Sequence, residues 1–156
     1  MPPDDVLVEE TALPHPREQV FAWFSAVENL RRITPERFAL TVLTPQPIVL
    51  RAGVRIAYRM RIFGLPLIWE SEITEWDPPR RFADLQVRGP YAHWLHTHEF
   101  EELPGGGTLV RDRVVWRLRF GPAGRLAGPL MRRHLTRVFR HRSAALQSAF
   151  SPPPGR

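Results

Sequence analysis

Two histidines two positions apart, His96 and His98, lie in a stretch reading Trp94-Leu95-His96-Thr97-His98-Glu99-Phe100. Residues two apart in a β-strand share a face, so Trp94, His96, His98 and Phe100 point together. By the same spacing Asp112 shares a face with Val114, Trp116, Leu118 and Phe120. Apolar neighbours turn both sets inward, and the length of the intervening loop puts Asp112 opposite either His98 or Phe100. Burying imidazoles and a carboxylate without partners costs on the order of several kcal/mol, so these groups must pair with each other, with water or with a ligand. Four kinds of chemistry fit. The groups can form a closed polar network that fixes strand register, or orient a ligand in a mostly apolar pocket. A His–Asp pair can also act as a general base. A His-x-His pair with Asp112 or Asp84 has the make-up of a metal-ligand set, although the pair alone is a weak signal. No nucleophile elbow, phosphate loop or other reaction-specific motif is present.

The elements that would carry these residues follow from hydrophobic period. Val6 to Leu13 reads as a strand, stopped by Pro14-His15-Pro16. Pro16 suits a helix start, and Val20, Phe21, Trp23 and Phe24 follow at helical spacing, continued or restarted over Val27 to Ile33. Thr34-Pro35 ends that segment, because a residue before proline avoids the α region. From Phe38 to Phe120 the period changes to two. Strands are expected over Phe38 to Leu43, Val54 to Ile62, Trp69 to Thr74, Phe82 to Arg88, His93 to Leu103 and Leu109 to Phe120. Gly64-Leu65-Pro66, Asp77-Pro78-Pro79, Gly89-Pro90 and Pro104-Gly105-Gly106-Gly107 supply the turns. Opposite charges are expected to face each other across two hairpins, Arg59 and Arg61 with Glu70 and Glu72, and Arg111 and Arg113 with Glu99 and Glu101. The last element is an amphipathic helix from about Pro129 to Phe150, with Met131, Leu135, Val138, Phe139, Leu146 and Phe150 on one stripe. Arg142 falls near the middle of that stripe. It either snorkels past the helix edge or reaches inward toward Asp84 or Asp112, and the inward position is the expectation.

At 156 residues the chain is long enough for one domain, taken here as residues 1–156, with 1–5 and 151–156 expected to be disordered. It holds no cysteine, which removes disulfide and thiolate chemistry. All 22 basic residues are arginine, giving a formal charge of +6, and their pairing with acids on a strand face marks them mainly as solvated surface. Arg132, Arg133, Arg137 and Arg140 of the last helix lack interleaved exposed aromatics, so nucleic-acid binding is not expected. The first residues lack the basic and apolar run of a signal peptide, and no window is apolar enough for a membrane span. A cytoplasmic location is expected, and nothing sets the oligomeric state.

The order strand, two short helices, six antiparallel strands and one long helix resembles the helix-grip fold of the START-like (SRPBCC) superfamily, which includes the birch-pollen allergen group and polyketide cyclase/dehydrase-like proteins. The resemblance runs from about Val6 to Phe150. It is carried by Phe82-x-Asp84-x-Gln86-x-x-Gly89-Pro90-Tyr91-x-x-Trp94-x-His96-x-His98-x-Phe100, by Asp112-x-Val114-x-Trp116 and by Phe139-Arg140-His141-Arg142. These segments are similar to a bacterial branch of the superfamily. The resemblance implies an α+β fold, a curved antiparallel sheet of about seven strands around a long C-terminal helix, with two short helices after strand 1. It places Phe82, Asp84 and Gln86 on the inner face and implies an apolar cavity lined by Tyr58, Trp69, Trp94 and Trp116. Asp84, Gln86, His96, His98, Asp112 and Arg142 would be its polar groups. Trp23 would close the entrance or staple its helix to the sheet. The implied function is binding of an apolar small molecule that is lipid-, polyketide- or isoprenoid-like, with no cofactor and no metal. The alternative is a cyclase/dehydratase-type enzyme that uses a cavity His/Asp pair as general acid and base.

Overall fold

The computed structural model describes residues 4–151 of the chain, in which the alternation between residues 38 and 120 becomes six strands that join the N-terminal strand in one seven-stranded antiparallel sheet. The strands are β1 (Asp5–Leu13), β2 (Thr41–Val42), β3 (Arg55–Ile62), β4 (Leu65–Asp77), β5 (Arg81–Arg88), β6 (Tyr91–Glu102) and β7 (Thr108–Leu118). Their spatial order is β1-β7-β6-β5-β4-β3-β2, so consecutive strands are neighbours except that β1 closes onto β7. Helices α1 (Arg17–Ser25) and α2 (Leu30–Ile33) follow β1, and the long α3 (Gly121–Phe150) ends the chain. This is the α+β helix-grip arrangement expected from the sequence. Register shifts in β4 and at the start of β6 mark bulges, which add local bend and twist. Among the described residues no helix is long and apolar enough to cross a membrane.

The inner face is selected by the two-residue period. Ile56 and Tyr58 on β3, Trp69, Ser71 and Ile73 on β4, Trp94, His96, His98 and Phe100 on β6, and Val110, Asp112, Val114 and Trp116 on β7 are all buried. Leu135, Phe139, Arg142 and Leu146 of α3 are buried against them.

Several sequence expectations are corrected. Helix α3 begins at Gly121, not near Pro129, and Pro129 lies inside it. That proline withholds one amide where the helix is largely bare, with Leu126 and Leu130 exposed beside it, so water can satisfy the carbonyl left over. The β3–β4 turn is Phe63-Gly64, both with positive φ, and Ile62 pairs with Leu65. This two-residue primed-type loop shifts the expected charge pairing. Arg59 faces Ile68 and Arg61 faces Pro66, while Arg55 pairs with Glu72 and reaches Glu70. On the β6–β7 hairpin Arg111 pairs with Glu99 and also reaches Glu101 and Glu10, whereas Arg113 faces Thr97. The expected disorder of residues 1–3 and 152–156 lies outside the described residues. Asp4 forms an ion pair with Arg117, and Asp5 opens β1 and bonds Arg132, so these two are engaged.

Candidate functional site

The register of the β6–β7 hairpin fixes the polar centre. Glu102 pairs with Thr108 across the glycine turn, which puts His98 opposite Asp112. On the other side β5 pairs with β6 so that Asp84 faces His96 and Phe82 faces His98. From above, α3 lowers Arg142 onto the same spot. Its Nε donates to Asp112 Oδ2 at 3.1 Å, and Arg142 is only 8 % exposed.

Hydrogen-bond polarity follows from these distances. Asp112 is a carboxylate, an acceptor only. His96 Nε2, 2.9 Å from Asp112 Oδ1, therefore carries a proton and donates it. His98 Nε2 donates to Asp84 Oδ2 at 3.0 Å, and His98 Nδ1 lies 3.1 Å from Asp112 Oδ1 and 3.4 Å from Arg142 Nη2. His98 Nδ1 thus stands in hydrogen-bond geometry with Arg142 Nη2 and in ion-pair contact with Asp112. Ser71 Oγ accepts from Trp69 Nε1 at 3.0 Å and donates to Asp84 Oδ1 at 3.3 Å.

The titration behaviour agrees with this assignment. Burial, helped by the neighbouring His98 charge, pushes His96 down to about 4 against the pull of Asp112 and Asp84, so it is neutral. Burial works against His98 too, but its contacts to Asp112 and Asp84 outweigh it and raise it above its ordinary 6.5. Burial would raise Asp112, yet Arg142 and the two histidines hold it well below the usual carboxylate range. Asp84 is likewise lowered, because the His98 hydrogen bond and the surrounding positive charge exceed the cost of burial. The cluster thus sets two carboxylates against the Arg142 guanidinium and two imidazoles, of which His98 is raised and His96 is neutral.

This cluster forms one end of a cavity of about 210 Å³ between the sheet, α1–α2 and α3. Phe82 stacks on His98 at 4.2 Å between centroids, and Phe139 meets His96 edge-on. Trp69 and Trp94 meet at 87°, with Tyr91 edge-on to Trp69 and tilted against Trp94. Ile33, Pro35, Met60, Ile62 and His134 also line the cavity.

Of the residues singled out from the sequence, Tyr58, Trp69, Asp84, Trp94, His96, His98 and Arg142 reach the cavity wall. Three do not. Asp112 lies behind the two histidines and orients them. Gln86 turns to the hairpin, where its amide bonds both the N–H and C=O of Tyr91, because β5–β6 pairing stops at Leu85. Trp116 points inward but lies beneath the first half of α3, in a small pocket with Gly124 and Gly128. Trp23 lines the cavity and packs on Phe24 of its own helix and on Phe150 of α3, so it joins α1 to α3 and not to the sheet. Ser71, Phe24 and His134 were missed. Ser71 was recoverable, since it keeps the period of Trp69 and Ile73, whereas Phe24 and His134 join the site only through helix packing.

Asp84, His96 and His98 each offer one possible ligand atom within 4.8 Å of the others. The donor set fits a cation poorly, because the ion would have to displace the proton His98 shares with Asp84 and sit beside the Arg142 guanidinium.

The same architecture occurs in solved structures at low identity. A START superfamily protein from Mycobacterium smegmatis matches with TM-score 0.72 and 10% identity, over 93% of this chain and 96% of that one. A protein from Thermus thermophilus matches at 0.70 and 21%, over 94% and 100%. Ginseng major latex-like protein 151 from Panax ginseng matches at 0.67 and 13%, over 97% and 100%. No curated protein matches the chain by sequence. A family model described as polyketide cyclase / dehydrase and lipid transport matches residues 6–150. That span takes in every strand from Val6 onward, the cavity and its polar end, and the chain belongs to this family.

Proposed function

We propose that the protein binds an apolar small molecule, lipid-, polyketide- or isoprenoid-like, between the sheet and α3, and does so in the cytoplasm without a nucleic-acid partner. The observation that carries this reading is the cavity itself. An aromatic and aliphatic chamber of about 210 Å³ with one convergent polar end has the make-up of a ligand pocket. Membership of a family described by polyketide cyclisation, dehydration and lipid transport supports the same ligand class. On the arginine-rich face of α3, Arg132 is engaged within the chain, bonding Asp5 and the Val6 carbonyl.

Native mass spectrometry of the purified protein, gentle and then denaturing, tests the reading. A co-purified apolar compound, or saturable binding from a panel of lipids and polycyclic aromatics, is the expected result. A protein that arrives empty and binds nothing in the panel sinks it.

A second reading, a cyclase/dehydratase-type enzyme, is favoured by one observation. His96 is neutral, its tautomer is set by Asp112, and its other nitrogen is left bare at the cavity wall, which is the arrangement of a general base. Chemical change in the bound compound, abolished in His96→Phe, separates this reading from simple carriage.

A further inference from the structure

The polar end of the cavity contains two hydrogen-bond acceptors that no protein hydrogen bond links. His96 donates through Nε2 to Asp112, so its Nδ1 carries a lone pair. Asp84 Oδ2 lies 4.0 Å from that nitrogen. The separation is too long for a hydrogen bond, and at neutral pH neither atom has a proton to offer, since burial keeps His96 neutral and Asp84 is ionised. Two acceptors 4.0 Å apart can each be reached at normal hydrogen-bond length by a single atom seated between them. That atom must supply protons. No protein donor bridges the two: His98 Nε2 and the Ser71 hydroxyl bond Asp84, Arg142 Nε bonds Asp112, and the Tyr58 hydroxyl and the Arg142 Nη groups, although on the same wall, bond neither His96 Nδ1 nor Asp84.

Building on the proposed ligand-binding role, we infer that the site selects apolar molecules whose polar end is a hydrogen-bond donor, an amino or hydroxyl group lodged between His96 Nδ1 and Asp84 Oδ2, and discriminates against carboxylates. An amino group suits the site best, because it has one N–H for each acceptor. A hydroxyl satisfies one of them. A carboxylate would place more lone pairs and a negative charge against Asp84, with no proton to share. Fatty acids are therefore the wrong end chemistry for this chamber, whatever their tails. Trp69, Trp94 and Tyr91 offer flat walls to a ring-bearing body.

Four probes of one skeleton test the inference: naphthylamine, naphthol, methylnaphthalene and naphthoate, each substituted at the same ring position. They are titrated into the full chain by calorimetry with a chelator present, so that no divalent ion stands in as the bridge. Naphthylamine and naphthol should bind at least about tenfold more tightly than methylnaphthalene, the scale of one hydrogen bond to a charged group, and naphthoate should bind most weakly. Methylnaphthalene or naphthoate binding as tightly as the donors overturns the inference and leaves the apolar-ligand reading standing. Failure of all four to bind overturns the inference and leaves the apolar-ligand reading to the lipid panel. In Asp84→Asn, whose amide puts a donor where an acceptor stood, the naphthol-to-methylnaphthalene affinity ratio should fall toward one, and an unchanged ratio counts against the inference. Should that variant not fold, the comparison on the unaltered protein still decides.

Discussion

Burial and charge pull His96 and His98 in opposite directions although the rings are 3.8 Å apart, and this gives stability a pH dependence with two limbs. His96 falls to about 4 on folding, so between 6.5 and 4 the unfolded chain binds more protons than the native one and stability drops as pH falls. His98 moves above 6.5, so its contribution is complete below 6.5 and is lost as pH rises through its folded value. Urea midpoints across this range should peak near pH 6.5. His98→Gln should flatten the alkaline limb and His96→Gln should soften the acid one, where Asp84 and Asp112 add their own loss at lower pH. Arg142 belongs to the same balance. Arg142→Met leaves Asp112 buried without its main counter-charge and should cost about 3–5 kcal/mol in urea unfolding. From the sequence the inward aim of Arg142 was legible, because a guanidinium inside an apolar stripe needs a partner. The outward turn of Gln86 was not, since it depends on where β5–β6 pairing ends.

Element boundaries were legible where period and turn residues agreed, as along β5 to β7. They failed where one residue type carries two meanings. Pro129 reads locally as a helix start, yet the helix tolerates it because its first half is mostly solvated. Leu65-Pro66 reads as a turn, yet Phe63 and Gly64 take the positive φ values and hand both residues to β4. The first half of α3 also rests on a glycine whose requirement is spatial. A Cβ at Gly124 would collide with the Arg119 carbonyl, a backbone atom that cannot swing aside, and would press on Leu118. Gly128, four residues on, has only the far end of Asp5 nearby, at 3.9 Å. Gly124→Ala should therefore lower stability by about 1–3 kcal/mol. Gly128→Ala should leave it unchanged or raise it by up to about 1 kcal/mol through helix propensity. Thermal melts of the two variants side by side distinguish packing from propensity.

For the molecule as a whole, the order and number of strands were readable because an antiparallel sheet with one wet face writes its alternation into the chain. The shape of the space beneath it was not, since the cavity depends on how far α3 and α1–α2 stand off. Trp116 shows the difference: its inward direction was correct, but the helix above it leaves only a small separate pocket there. A variant that closes the chamber without touching its polar end tests the role of that space. Val138→Trp, on the helix-side wall, should abolish ligand-dependent rises in Tm while leaving the Tm of the free protein undiminished.

The junction of β1 with β7 has a consequence for biosynthesis. Asp5 pairs with Trp116 and Leu13 with Thr108, whereas every other strand pairing joins strands adjacent in the sequence. On the ribosome the first strand emerges long before its partner exists, while the central hairpins can assemble as they appear. The nascent N-terminus must wait as an unpaired edge, and a transcript cut short before residue 108 would leave it permanently orphaned, a natural target for quality-control proteases.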